Sequence, residues 1–373
     1  MTEVHIPYGP TSIFLTVEPE ELLCVKDPET KTWIADYPVE KRVHLPDVLH
    51  RIAVRIDFKL ALDQARLSNA MEMLKAELPG DCAMTVQVMS PKSTQRYFQQ
   101  PALGEHSSPQ NQSTSDAPVV VLSKATCHPF IDLLSSLGQI AYPDGGRELL
   151  ESIDQYLLGE EEKAVDLLLD PLKGTGSDTV LAFVDGNKTN TDALAQYYAG
   201  QIKEMYSYHR QSNRNGLPDE VTALVGGLGG EPTDSVPSIG IPYMLSALSS
   251  WRFEVAGFVG MWGQSLVDLP LFAHVGVPQH ELVGRLEKRF DWHDIVLYMI
   301  RQVKSDEKTR LVTSMPPALV SKILKWRVLN TGSDLLRSLK RSVEGEFKLV
   351  IARDLSMSFA TRKSEHGETK DEN

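Results

Sequence analysis

The stretch Asp219–Asp234, DEVTALVGGLGGEPTD, constrains the fold of this chain more than any other. Val221 to Val225 is a short apolar run, as expected of a parallel strand buried on both faces. It leads into Gly226, Gly227, Gly229 and Gly230, where the lack of Cβ atoms lets backbone N–H groups come close to a ligand. The bland alternative is a tight turn between strand and helix. GGLGG lacks the GxGxxG order, so the dinucleotide fingerprint is not met. On either side, apolar patterns of strand and helix type alternate. The expected fold class is therefore α/β, with two Rossmann-like domains facing each other across a cleft.

The first half carries the clearest local pattern. Val4–Pro7 and Ser12–Val17 read as strands around the turn Tyr8-Gly9-Pro10. Arg51–Asp57 is a further strand. Leu67, Ala70, Met71, Leu74 and Leu78 recur at helical spacing, Pro79-Gly80 stops that helix, and Ala83–Met89 is again a strand. Strand, helix and strand of these lengths make a right-handed βαβ unit. Residues 101–118, rich in Ser, Gln, Asn and Pro, read as a loop. Val119–Ser123 and Thr179–Val184 are expected strands; 147–169 and Thr191–His209 are expected helices.

Arg210–Pro218 is polar and holds Gly and Pro, which sets the expected domains at 1–217 and 218–360, with 361–373 a disordered tail. In the second half, strands are expected at 221–225, 254–259, Arg310–Thr313 and Lys348–Ala352. Helices are expected near 240–250, after a cap at Asp291, at Pro317–Trp326 and at Asp334–Val343.

The net charge of −12 leaves no basic stripe to neutralise phosphates, which argues against nucleic acid as a partner. Cys24, Cys82 and Cys127 are odd in number, far apart and without a CxxC. That favours a reducing cytoplasm over a disulfide framework. No apolar run approaches the ~18 residues of a membrane span, and the N-terminus lacks the pattern of a signal peptide. Homo-oligomer formation stays open.

Three segments together resemble the nickel-pincer lactate racemase family. They are the opening IPYGPTSIFLTVEPEELLCVKDP, the strand–helix–strand from Arg51 to Pro91, and the C-terminal half from the glycines through TRLVTSMPPALVSKIL to the last strand. The resemblance implies the two-domain fold, isomerase chemistry on 2-hydroxy acids, and a nickel-pincer nucleotide tethered to a lysine. Position by position, much of the family's chemistry does not carry over. Its Asp-x-x-Arg is met by Asp57, but three positions on stands Leu60. Its histidine after the next strand is met by Met89-Ser90-Pro91-Lys92. A later histidine is met by His128, but the tether lysine ten residues beyond is Gly138. The glutamine and lysine of the following domain are missing from SIGIPYMLSALSSW. The cofactor is therefore left unknown, and the covalent nucleotide is not expected.

Each candidate residue also has a plainer reading. Asp57 closes a strand and would point into the cleft, where a carboxylate can orient a cation or act as base; the alternative is a helix cap. His128 can move a proton near neutral pH or ligate a metal, or be a hydrogen-bonded structural histidine. His274, His280 and His293 do not share a helical face, so no metal site is assigned. Asp291 and Asp294 suit the first turn of a helix. Trp251, Trp262 and Trp292 fit a core as well as a pocket, and Glu160-Glu161-Glu162 reads as a solvated face. The functional expectation is a lactate-racemase-like protein with Asp57 and His128 in catalytic roles and the four glycines at the cofactor. It would act on, or bind, a small 2-hydroxy acid. The alternative is a non-catalytic binder of a ligand or protein partner on the same scaffold.

Overall fold

The computed structural model describes residues 1–9, 11–28, 51–57, 83–89, 120–122, 128–173, 181–183, 195–197, 203–204, 207–208, 220–228, 244–245, 247–248, 253–260, 276–302, 309–324 and 326–355. The expected helix at 67–78, the loop at 101–118, Gly229, Gly230, His274, Trp251, Trp262 and the tail lie outside them.

The fold is mixed α/β. β1 (Thr2–Tyr8) and β2 (Thr11–Val17) form an antiparallel hairpin around Gly9, whose φ of 59° suits a residue without a Cβ. β3 is Leu22–Lys26. A five-stranded sheet follows from β4 (Arg51–Asp57), β5 (Ala83–Met89), β6 (Val120–Leu122), β7 (Leu181–Phe183) and β8 (Ala195–Tyr197). Its order is β5-β4-β6-β7-β8, parallel except for the antiparallel β7–β8 pair. The β4–β5 register, from Arg51↔Ala83 to Asp57↔Met89, matches the expected strand bounds at every residue.

A six-stranded parallel sheet holds β9 (Ala223–Gly227), β10 (Val255–Val259), β11 (Thr309–Val312), β12 (Arg327–Leu329) and β13 (Leu349–Ala352), together with β3. Its order is β12-β11-β10-β9-β13-β3. Successive residues point to opposite faces, and each face has its own core. Leu224, Ala256, Phe258, Leu311, Val350 and Ala352 pack on one side with the helix layer. That layer includes α1 (Pro129–Ala141), α2 (Arg147–Leu157), α3 (Glu161–Lys173), α4 (Gln279–Leu286), α5 (Trp292–Gln302) and α6 (Pro317–Leu324). Ala223, Val225, Val255, Val259, Leu349 and Ile351 pack on the other side, against the β1–β2 hairpin and α7 (Gly332–Lys340). Sheet and core membership thus do not follow chain order: β3 and α1–α3 come from the first half yet belong with the second sheet.

Several expectations are corrected. Thr191–His209 is not one helix, since Ala195–Tyr197 pairs with β7 as an edge strand; among the described residues of that stretch, helix appears at 203–204 and 207–208. The sheet edge offers residues 195–197 a ladder that overrides their helical spacing. Residues 147–169 form two helices broken at Leu158-Gly159, with Gly159 at φ 86°. The glycine-rich strand runs two residues further than expected. Gly226 and Gly227 pair with Phe258 and Val259, so they close the strand and do not follow it. Strands β3 and β12 and helix α1 carried no sequence expectation.

Candidate functional site

Open α/β sheets bind ligands at a topological switch point, where connections from two neighbouring strands leave in opposite directions. In the five-stranded sheet that point lies between β4 and β6: the chain goes from β4 to β5 on one side and from β6 through β7 to β8 on the other. Asp57 is the last residue of β4, and His128 follows β6 at the start of α1. In the six-stranded sheet the switch point lies between β9 and β13, with β9 leading to β10 on one side and β13 inserted on the other. Gly226 and Gly227 end β9, and Arg353-Asp354-Leu355 leaves β13. Asp57 and the two described glycines, Gly226 and Gly227, therefore stand at strand ends next to the switch points.

A hydrogen bond joins the start of α1 to the segment that leaves β13. The His128 ring is buried, and its Nε2 lies 2.8 Å from the carbonyl oxygen of Leu355. A carbonyl only accepts, so Nε2 carries the proton, and a neutral ring keeps Nδ1 as the acceptor. His128 also stands at the amino end of α1. Pro129 follows at the first helical position, where the missing N–H costs nothing, and Asp132 is buried in the first turn.

The glycines are closed in by the chain itself. A Cβ on Gly226 would come 2.5 Å from Leu355 Cδ1, and one on Gly227 would strike the carbonyl oxygen of Arg353. Their smallness lets the 353–355 segment cross the end of β9. Leu355 therefore touches two of the expected residues, accepting from His128 and covering Gly226. Asp57 is placed by its strand alone, at the carboxyl edge of the first sheet beside Met89.

Three further groups at this edge were not singled out from sequence. Tyr8, at the tip of the first hairpin, hydrogen-bonds Ser314 just beyond β11; burial pushes its phenol above the ordinary value, and that bond pulls the other way. Arg353 sends Nη1 to Asp27 at 2.8 Å. Leu355 carried no signal, because an apolar residue three beyond a strand is unremarkable until the strand's neighbours are known. Tyr8 was legible only as part of a turn.

The other candidates resolve into structure. Asp291 caps α5, with Oδ1 accepting from the backbone N–H groups of His293 at 3.0 Å and Asp294 at 3.4 Å. His280 is exposed on α4, and Trp292 is half-buried against the helix-side core. Glu160 and Glu162 are exposed, as a solvated face requires. Elsewhere, the Tyr298 hydroxyl donates to both oxygens of Asp154 at 2.9 and 3.0 Å, tying α5 to α2. Burial pushes Tyr298 up to about 12 and also raises Asp154. That pair is remote in sequence from every expected site residue and serves as a clasp between helices.

The residues do not fit a lysine-tethered nucleotide. Gly138, where the resemblance would put the lysine, is buried in α1, and a Cβ there would run into the ring of Phe290. Among the described residues no cluster of three His, Cys, Asp or Glu side chains is placed to hold a metal ion. No helix among them is long and apolar enough to cross a membrane.

No family model and no curated protein matches the chain. Among solved structures, the lactate racemase apoprotein from Thermoanaerobacterium thermosaccharolyticum is similar in fold, with a TM-score of 0.56 over 96% of this chain and 99% of that one. The sequence identity is 9%, so the likeness is one of fold.

Proposed function

We propose that this protein binds a small organic anion, a 2-hydroxy acid or a close relative, in a cleft where the carboxyl edges of its two sheets approach each other. The observation that carries this reading is the hydrogen bond from His128 to Leu355, because it sets a buried imidazole against the segment that covers Gly226. The fold shared with a lactate racemase apoprotein supports it. At such a place a carboxylate would meet the amino end of α1, whose dipole favours negative charge. His128 would hold or exchange the proton of the neighbouring hydroxyl, and Asp57 would orient the group opposite. In the related fold the nickel-pincer nucleotide supplies hydride chemistry. Here the Gly138–Phe290 contact leaves no room for its tether, so no step is assigned to it. That contact favours binding over racemisation. The single half-buried free thiol of Cys24 among the described residues accords with our placing the protein in a reducing cytoplasm.

A thermal-shift panel of 2-hydroxy acids, nucleotides and divalent cations tests this. A ligand at a hundred times its Kd adds about 2.7 kcal/mol, roughly 3 °C in midpoint for a chain of this size. Lactate or a homologue is expected to produce such a shift, and His128→Ala to remove it. A panel in which only nucleotides or metals move the midpoint would refute the reading.

A further inference from the structure

Resting on that reading, we propose that the 353–355 segment is a built-in stopper: Leu355 closes the switch point in the ligand-free protein and must move before an anion can reach His128. Three contacts hold the stopper in place. The Leu355 carbonyl takes the Nε2–H of His128 at 2.8 Å, the donor a ligand oxygen would need. The Leu355 side chain, fully buried, fills the space beside Gly226 that a ligand would enter. The Arg353 carbonyl lies over Gly227, and its backbone N–H is held by the Lys26 carbonyl at 3.0 Å, at the end of the neighbouring strand β3.

Two of these contacts imitate a bound molecule. A carbonyl oxygen stands where a carboxylate or hydroxyl oxygen of the anion would accept, and an isobutyl group stands in an apolar niche at the end of β9. A protein whose competent state is a minor fraction binds with an apparent Kd raised by that fraction. Loosening the stopper therefore tightens binding without adding any contact to the ligand.

Two substitutions attack the same contact from opposite sides. Leu355→Ala removes the plug, and Gly226→Ala puts a methyl group in its socket. Each is followed by the rate at which diethyl pyrocarbonate modifies His128, read by mass spectrometry against the exposed His5 and His280, and by lactate affinity from calorimetry. Circular dichroism selects variants that remain folded. In the native chain, His128 is expected to react at least tenfold more slowly than the two exposed histidines. Either folded variant is expected to narrow that gap at least fivefold, and Leu355→Ala, which leaves the niche empty, to tighten lactate binding by a similar factor. Unchanged His128 reactivity with unchanged lactate affinity in both variants overturns the stopper and leaves the ligand reading standing. Faster modification with no lactate binding in any form supports the stopper and overturns the hydroxy-acid reading. Slower modification or weaker binding in both variants overturns the stopper, because Leu355 would then be part of the binding surface.

Discussion

His128 and Leu355 lie 227 positions apart in the chain, yet the imidazole of one donates to the carbonyl of the other at 2.8 Å in a buried setting. The pair ties the helix that leaves one sheet to the segment that leaves the other. His128→Ala leaves that carbonyl buried without its donor, a loss of about 1–3 kcal/mol. His128→Gln, whose amide can donate, should recover part of it. Chemical denaturation of the three proteins reads the difference, and equal midpoints would show that the bond contributes nothing to stability.

Gly226 and Gly227 are expected to respond unequally to alanine. At Gly226 the new methyl meets the end of a leucine side chain, which can turn away, at a cost of about 1 kcal/mol. At Gly227 it meets the backbone oxygen of Arg353, which cannot move without shifting β13's exit, and the cost should reach about 3 kcal/mol. Thermal midpoints of the two single variants check the ranking. The reverse order would mean that the Arg353 backbone yields more readily than Leu355.

Placing a lysine at 138, where the resembled family carries its tether, should fail. In Gly138→Lys the Cβ lands on the Phe290 ring, so the variant should lose several degrees of thermal midpoint and gain no bound nickel. Elemental analysis after co-expression with nickel-pincer maturation enzymes decides this. Stoichiometric nickel in the variant or in the native protein would contradict it.

The Asp154–Tyr298 clasp gives a pH signature with a fixed sign. Burial raises Asp154 in the folded protein above its unfolded value of 3.8, so the folded state binds the extra proton first. Its contribution to stability is therefore largest below that value and declines as pH rises through the folded pKa. Tyr298, pushed up to about 12, keeps its hydroxyl proton throughout. Asp154→Asn, which still accepts from Tyr298, should be at least as stable as the native protein at pH 7 and lose that advantage on acidification. Tyr298→Phe should cost about 1 kcal/mol at neutral pH. Urea midpoints between pH 4 and 7 report both effects.

A fragment of residues 218–360 should not fold alone. It lacks β3, which pairs with β13, and it lacks α1–α3 and the first hairpin, whose residues complete the two cores of the six-stranded sheet. Low near-ultraviolet ellipticity and dye binding are expected from the fragment, against a native spectrum for 1–360. A cooperative transition in the fragment would support 217/218 as a boundary between folding units.

The sequence made local periodicity legible. The bounds of β4 and β5 could be read to the residue because β-branched and apolar positions alternate between clear breakers, and the β1–β2 hairpin followed from the Tyr8-Gly9-Pro10 turn. The candidate residues were legible as positions at or after strand ends: Asp57 closing β4, His128 after β6. What the residues could not convey was adjacency. Nothing in LLCVK says that β3 completes a sheet whose other strands begin at residue 223, because parallel partners share no turn. For the same reason the glycines read as an open loop. Their burial depends on Leu355, which reaches Gly226 only once β13 has inserted beside β9. Helix α1 was missed because its fairly apolar segment, PFIDLLSSLGQIA, shows only a weak polar face.

The seating of β3 beside β13 also bears on how the molecule is made. The Lys348 ammonium reaches back to the Glu20 carbonyl, 328 residues earlier, so the outermost strand pair unites segments far apart in the order of synthesis. On the ribosome, Leu22–Lys26 emerges long before its partner and must wait, with its ladder groups unclaimed, until Leu349–Ala352 has been translated. Loop closure over such a span is slow and leaves an apolar edge available to other nascent chains. Dependence on holdase chaperones during translation, relieved once β13 clears the exit tunnel, is the consequence.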